Sequence, residues 1–98
     1  MRKFVIERLI DGVGKLNQQD LSGAAGTSND ALARLAPRVQ WVHSYVTADR
    51  TFCIYLAEDE SVIHEHARLS GFPASRVYEV TGIIDPTTDR RGAAQKAA

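Results

Sequence analysis

Residues 39–57 contain two runs in which side chains of different character alternate. Each run predicts a β-strand, because successive side chains of a strand point to opposite faces. A turn-forming segment, residues 47–50, separates the runs, so together they predict a β-hairpin. One face of this hairpin is aliphatic and includes Val42, Val46, Phe52, Ile54 and Leu56. The other face mixes aromatic rings with an imidazole and a thiol, from Trp41, His43, Tyr45, Cys53 and Tyr55. We expect helices to cover the aliphatic face, which leaves the mixed face open for function.

The rest of the chain predicts two more strands and two helices. Residues 2–10 are rich in β-branched and aromatic residues and predict the first strand. Residues 17–35 carry apolar residues at helical spacing, which predicts a helix that is weak or bent near Gly26 and ends before Pro37. Residues 59–69 predict the second helix, with Gly71 as its left-handed terminator. Residues 76–84 predict the fourth strand.

This element order, βαββαβ, predicts an α+β fold of the ferredoxin-like type. In it a four-stranded antiparallel sheet carries two helices on one face. We expect one such domain over residues 1–86 and a flexible C-terminal tail over residues 87–98. The open face would hold Glu7 beside the mixed side of the hairpin. Because a large aromatic patch rarely stays in water, we expect two copies to pair through this face as a dimeric α+β barrel with a small cavity between the sheets.

Composition argues against several classes of partner. Twelve Lys and Arg balance twelve Asp and Glu, so the basic footprint of a nucleic-acid-binding protein is missing. No apolar run approaches the roughly 20 residues that span a bilayer. Cys53 is the single cysteine, and it has no partner for an intramolecular disulfide. We therefore expect a cytoplasmic protein without nucleic-acid or membrane partners.

Several spaced motifs are similar to those of a known family. They are W-V-H-S-Y at residues 41–45, C-x-Y-x-A at residues 53–57, E-H-A at residues 65–67 and G-F-P-A at residues 71–74. Over residues 3–86 the chain resembles a bacterial family of small nickel-binding proteins built on a domain of unknown function. The resemblance implies a ferredoxin-like fold that assembles as a dimeric barrel. It also implies that some relatives bind nickel.

Nickel accepts imidazole, thiolate and carboxylate ligands, and the predicted open face contains all three. His43 and Cys53 lie on one predicted side of the hairpin, and Glu7 approaches from the first strand. His66, on the inner side of the second helix, is a further candidate. We predict a transition-metal site, nickel first, from these four residues. The alternative is structural: a hydrogen-bonded imidazole for each histidine and a small buried side chain for Cys53.

A second function class is a cofactor-free oxygenase or isomerase built on the same dimeric barrel. His43 would then act as general base, with Tyr45 or Tyr55 orienting a small organic substrate. In either case Trp41, Tyr45 and Tyr55 are the predicted contacts with a bound small molecule, unless they only line the barrel or the dimer contact. A metal-binding protein is favoured over an enzyme. A purely structural or interaction module is the third possibility.

Overall fold

The computed structural model describes residues 1–92, which form four strands and two helices. In chain order the elements are β1 (Arg2–Leu9), α1 (Gln18–Leu35), β2 (Val39–Val46), β3 (Arg50–Ala57), α2 (Glu60–Ser70) and β4 (Arg76–Glu79). Short 3₁₀ turns occur at Val13–Lys15 and Pro86–Thr88. The predicted element order is confirmed, although β4 ends five residues earlier than the predicted residue 84. The predicted tail falls partly outside the described residues, and the division at residue 86 stays a prediction.

The sheet is antiparallel with the strand order β2-β3-β1-β4. Both helices cover one face, and the core lies between them and the sheet. At its centre Phe4 and Ile6 of β1 pack with Val62 and Ile63 of α2, and all four are at most 1% exposed. The predicted ferredoxin-like arrangement is confirmed. Neither of the helices within residues 1–92 combines the length and apolar character that a membrane crossing requires.

Local sequence sets the ends of both helices. The side chain of Asn17 caps α1 by accepting a hydrogen bond from the Asp20 N–H at 2.8 Å. Asp59 caps α2 in the same way, and Gly71 ends it with φ at 79°, as predicted. The predicted weakness near Gly26 does not interrupt α1. Burial of the inner side of the helix against the sheet outweighs the cost of a glycine there.

A β-bulge at Val42 changes the face of the sheet on which the later residues of β2 lie. Trp41 pairs with Tyr55, but the next paired residue, His43, lies opposite Ile54, so Val42 is an extra residue on this strand. An extra residue reverses the alternation that follows it, because the side-chain period of a strand is two. Trp41 therefore faces the helices, whereas His43 faces the open side of the sheet. The prediction that these two residues share a face is wrong.

The two sides of β3 are also reversed relative to the prediction. Cys53 and Tyr55 pair with Ile6 and Phe4 of β1, and all four lie buried beneath the helices. The open side of the sheet receives the larger apolar residues of this strand, Phe52, Ile54 and Leu56, each of them partly exposed. Apolar residues occupy both sides of β3, so hydrophobicity alone does not reveal which side the helices cover.

Gly14 lies where the first 3₁₀ turn contacts the backbone of the hairpin. Its N–H donates to the carbonyl of Ala48 at 3.2 Å, and a Cβ added to Gly14 would lie 2.7 Å from the Cα of Ala48. We expect Gly14→Ala to lower the free energy of unfolding by about 1–3 kcal/mol, because backbone must move to admit the methyl group. Gly26→Ala is the matched control, since a Cβ there meets nothing within 4 Å. Denaturant titration should show this control to be about 1 kcal/mol more stable than the parent, and equal destabilisation by both changes would contradict the steric explanation.

Candidate functional site

The side of the sheet that faces away from the helices, here called the open face, is largely apolar. Its members come from all four strands and include Val5, Glu7, His43, Tyr45, Phe52, Ile54, Leu56 and Tyr78. Tyr45 is 59% exposed and Tyr78 is 47% exposed. Contiguous apolar surface of this kind usually marks an interaction site.

His43 lies on the open face near the middle of β2. Its side chain is exposed, and its ring packs edge-to-face against Tyr45 with 4.9 Å between the ring centroids. The bulge at Val42 places this pair on the open face, because it turns both rings away from the helices. The imidazole is thus available to a metal ion or to a partner.

Glu7 also lies on the open face, as predicted, but an arginine neutralises it. Its carboxylate accepts a hydrogen bond from Nη1 of Arg50 at 2.6 Å, and Arg50 is bound in turn to Asp49. These two carboxylates raise the pKa of Arg50, with Asp49 the larger cause. The partly buried carboxylate of Glu7 therefore already has a charged partner within the same chain.

The other two predicted ligands lie on the far side of the sheet. Cys53 is 5% exposed, and its sulfur lies 3.4 Å from Oγ1 of Thr51. His66 is 1% exposed, and its Nε2 shares a hydrogen bond with Oγ of Ser28 at 3.2 Å. The sheet separates this pair from His43, so the predicted convergence of four ligands does not occur within one subunit. Their roles as metal ligands stay predictions.

Burial makes His66 a weak base. The pKa of its imidazole falls from the ordinary 6.5 to about 4, chiefly by desolvation and secondly by the charge of Arg8. Burial also raises the pKa of Tyr55, against the opposing effect of the Arg8 charge, and the ring centroid of Tyr55 lies 5.2 Å from that of His66. At neutral pH His66 is therefore uncharged and acts as a hydrogen-bond partner of Ser28.

The predicted aromatic cluster is divided by the sheet. Trp41 and Tyr55 face the helices, whereas Tyr45 lies on the open face with His43. His43 and Tyr55 consequently cannot act on one substrate within a subunit, and the structure gives no support to the enzymatic alternative. Arg8 was not among the predicted site residues, although its position in the alternation with Phe4 and Ile6 marked it as an inward-facing charge.

Comparison with known proteins identifies the family. Residues 4–80 match the family described as nickel responsive protein, SCO4226-like. The chain belongs to this family. The finding confirms the predicted resemblance to a family of small nickel-related proteins. No curated protein is significantly similar to the chain.

The SCO4226-like chain also resembles a solved structure. The crystal structure of SCO4226 from Streptomyces coelicolor A3(2) matches it with a TM-score of 0.70, over 84% of this chain and 99% of that one. The two sequences are 12% identical, so the likeness shows the fold alone. That fold is the α+β arrangement described above.

Residues 1–92 do not bring a complete set of three nickel ligands together. Within residues 1–92, no three side chains of His, Cys, Asp or Glu lie close enough together to hold one ion. Stable sites for transition metals usually need three or more protein ligands. The described residues therefore do not bring the four predicted ligands together in a single copy of the chain.

Proposed function

We propose that this protein is a homodimeric nickel-binding protein whose two open faces pack together and hold the ion between them. His43 is the first ligand. The exposed imidazole of His43, on the edge strand β2 of an apolar, uncovered sheet face, is the observation that carries the proposal. Membership of a nickel-responsive family supports the choice of metal.

The need to cover apolar surface supports the dimer. The open face carries half-exposed aromatic and aliphatic side chains, whereas the helix layer covers the opposite face. Beyond β4, Ile83 and Ile84 are also exposed, at 71% and 86%. A two-fold contact between identical faces removes this surface from water and leaves no uncovered sheet face.

Two-fold symmetry also supports the metal site. It places a second copy of every interface side chain in the interface, so the proposed dimer offers two imidazoles, and they share one ion where His43 lies close to the two-fold axis. Nickel binds imidazole readily. Glu7 is already paired with Arg50, so His43 is the better available ligand on this face.

A titration of tag-free protein with Ni²⁺ tests this function. We expect His43→Ala to weaken nickel binding at least tenfold, because the change removes an imidazole from both sides of the site. His64→Ala is the matched control, since His64 is an exposed histidine on α2, paired with Glu60 at 3.1 Å and remote from the open face. The control should bind as the parent does. Equal binding by parent and His43→Ala would refute the assignment of the ligand.

A further inference from the structure

A second candidate site lies on the other side of the sheet, between α1 and the strands. A cavity of about 330 Å³ occupies this space. It exists because the inward side of α1 carries small residues, Ala24, Ala25 and Ser28, which leave room above the sheet. Its volume is within the range of small-molecule sites in proteins.

The lining of this cavity is apolar apart from a small group of polar residues. Most of the lining is apolar and includes Val13, Leu16, Leu21 and Trp41. Leu16 and Val46 are 38% and 46% exposed, so they mark the side at which the cavity meets solvent. The polar residues of the lining are grouped on the sheet and on the facing turn of α1, and they include Arg8, Tyr55 and Ser28.

Arg8 is the unusual member of this lining. It is 2% exposed, and its Nη1 donates to the carbonyl oxygen of Pro73 at 2.9 Å. Nη2 has no hydrogen-bond partner within residues 1–92, and none of the ion pairs formed by those residues includes Arg8. A buried guanidinium without an anionic partner is unfavourable, because burial removes the hydration of the charge.

The neighbours of Arg8 do not supply the missing negative charge. His66 is neutral at ordinary pH, and burial raises the pKa of Tyr55, which keeps its phenol protonated. Ser28 and Thr51 contribute only hydroxyl groups. A ligand that brings one anionic group and an apolar body would complement both Arg8 and the apolar lining.

We propose that this cavity binds a small organic acid, with its carboxylate at Arg8 and its apolar part between α1 and the sheet. A guanidinium offers two parallel N–H donors to a carboxylate, which makes Arg8 suited to this anion. The site is separate from the proposed nickel site, because the sheet lies between them. An experiment that refutes one of the two proposals therefore does not refute the other.

Octanoate and its uncharged counterpart octanamide are the probes that test this site. We titrate each into tag-free protein by calorimetry and by amide chemical shifts in NMR spectra. We expect octanoate to bind at least tenfold more tightly than octanamide and to shift amides of α1 and β3. Equal affinities for the two probes, or binding of neither, would overturn the proposal.

Two variants test separately the charge of Arg8 and the volume of the cavity. Arg8→Met keeps an unbranched side chain without the charge, so it should remove the preference for octanoate. Ala25→Leu fills the cavity from α1, so it should abolish binding of both probes while the protein stays folded. Undiminished octanoate binding by Ala25→Leu would place the ligand elsewhere and refute the proposal, even if Arg8→Met fails to fold.

Discussion

Replacing Ile54 with arginine is expected to convert the proposed dimer into monomers. Ile54 lies at the centre of the open face, opposite His43 of β2 and Val5 of β1. In the proposed dimer the new guanidinium would be buried without an anion, and two-fold symmetry would add a second one nearby. Such a buried charge costs several kcal/mol, which is enough to dissociate a small interface. Molar mass from light scattering, measured for the parent and the variant at the same concentration, gives the result.

Asn29→Arg is the matched control for this change. Asn29 is exposed on α1, so the variant gains the same charge on the helix layer of the molecule. We expect this control to remain dimeric. Circular dichroism should show that Ile54→Arg keeps its secondary structure, because Ile54 points away from the core beneath the helices. A dimeric Ile54→Arg, or a monomeric parent, would contradict the proposed interface.

Acid is expected to destabilise the fold through His66, between about pH 6.5 and pH 4. The pKa of this buried imidazole is lowered from 6.5 to about 4 by desolvation and by the Arg8 charge. Between these two values the unfolded chain binds a proton that the folded chain does not. The free energy of unfolding therefore rises with pH in this window. The protein loses this part of its stability as the pH falls from about 6.5 to about 4.

The effect reaches about 3 kcal/mol over the whole window, because one pKa unit corresponds to about 1.4 kcal/mol. Urea titrations of the parent and of His66→Gln at a series of pH values measure it. The glutamine keeps an amide within reach of Ser28 but does not titrate, so the variant should lose this part of the pH dependence. Carboxylates paired with arginines, such as Glu65 with Arg68, titrate in both proteins and cancel in the comparison. Parallel stability curves for the two proteins would disprove the role of His66.

The fold could be predicted from the sequence because residues within or next to each element determine where it forms and ends. Asn17 and Asp59 begin the two helices, and Gly71 ends the second. Alternation within residues 39–57 gave the hairpin. The element order then left few topologies, since a βαββαβ chain with short connections forms an antiparallel four-stranded sheet readily.

The positions of the candidate ligands did not follow from the sequence, for two physical reasons. An extra residue at Val42 reverses the sides of β2, and a bulge has no strong signature in a run such as W-V-H-S-Y. Apolar residues line both sides of β3, because the open face is itself hydrophobic. The sequence therefore could not distinguish the buried side of Cys53 from the open side of Ile54.

The dimer dissociation constant with and without Ni²⁺, measured by analytical ultracentrifugation, tests most directly whether the ion lies between two copies. An ion that only the dimer can hold must strengthen the dimer by mass action. We expect saturating Ni²⁺ to lower the dissociation constant at least tenfold in the parent and to leave that of His43→Ala unchanged. The same dissociation constant for the parent in both conditions would contradict a nickel site between the open faces.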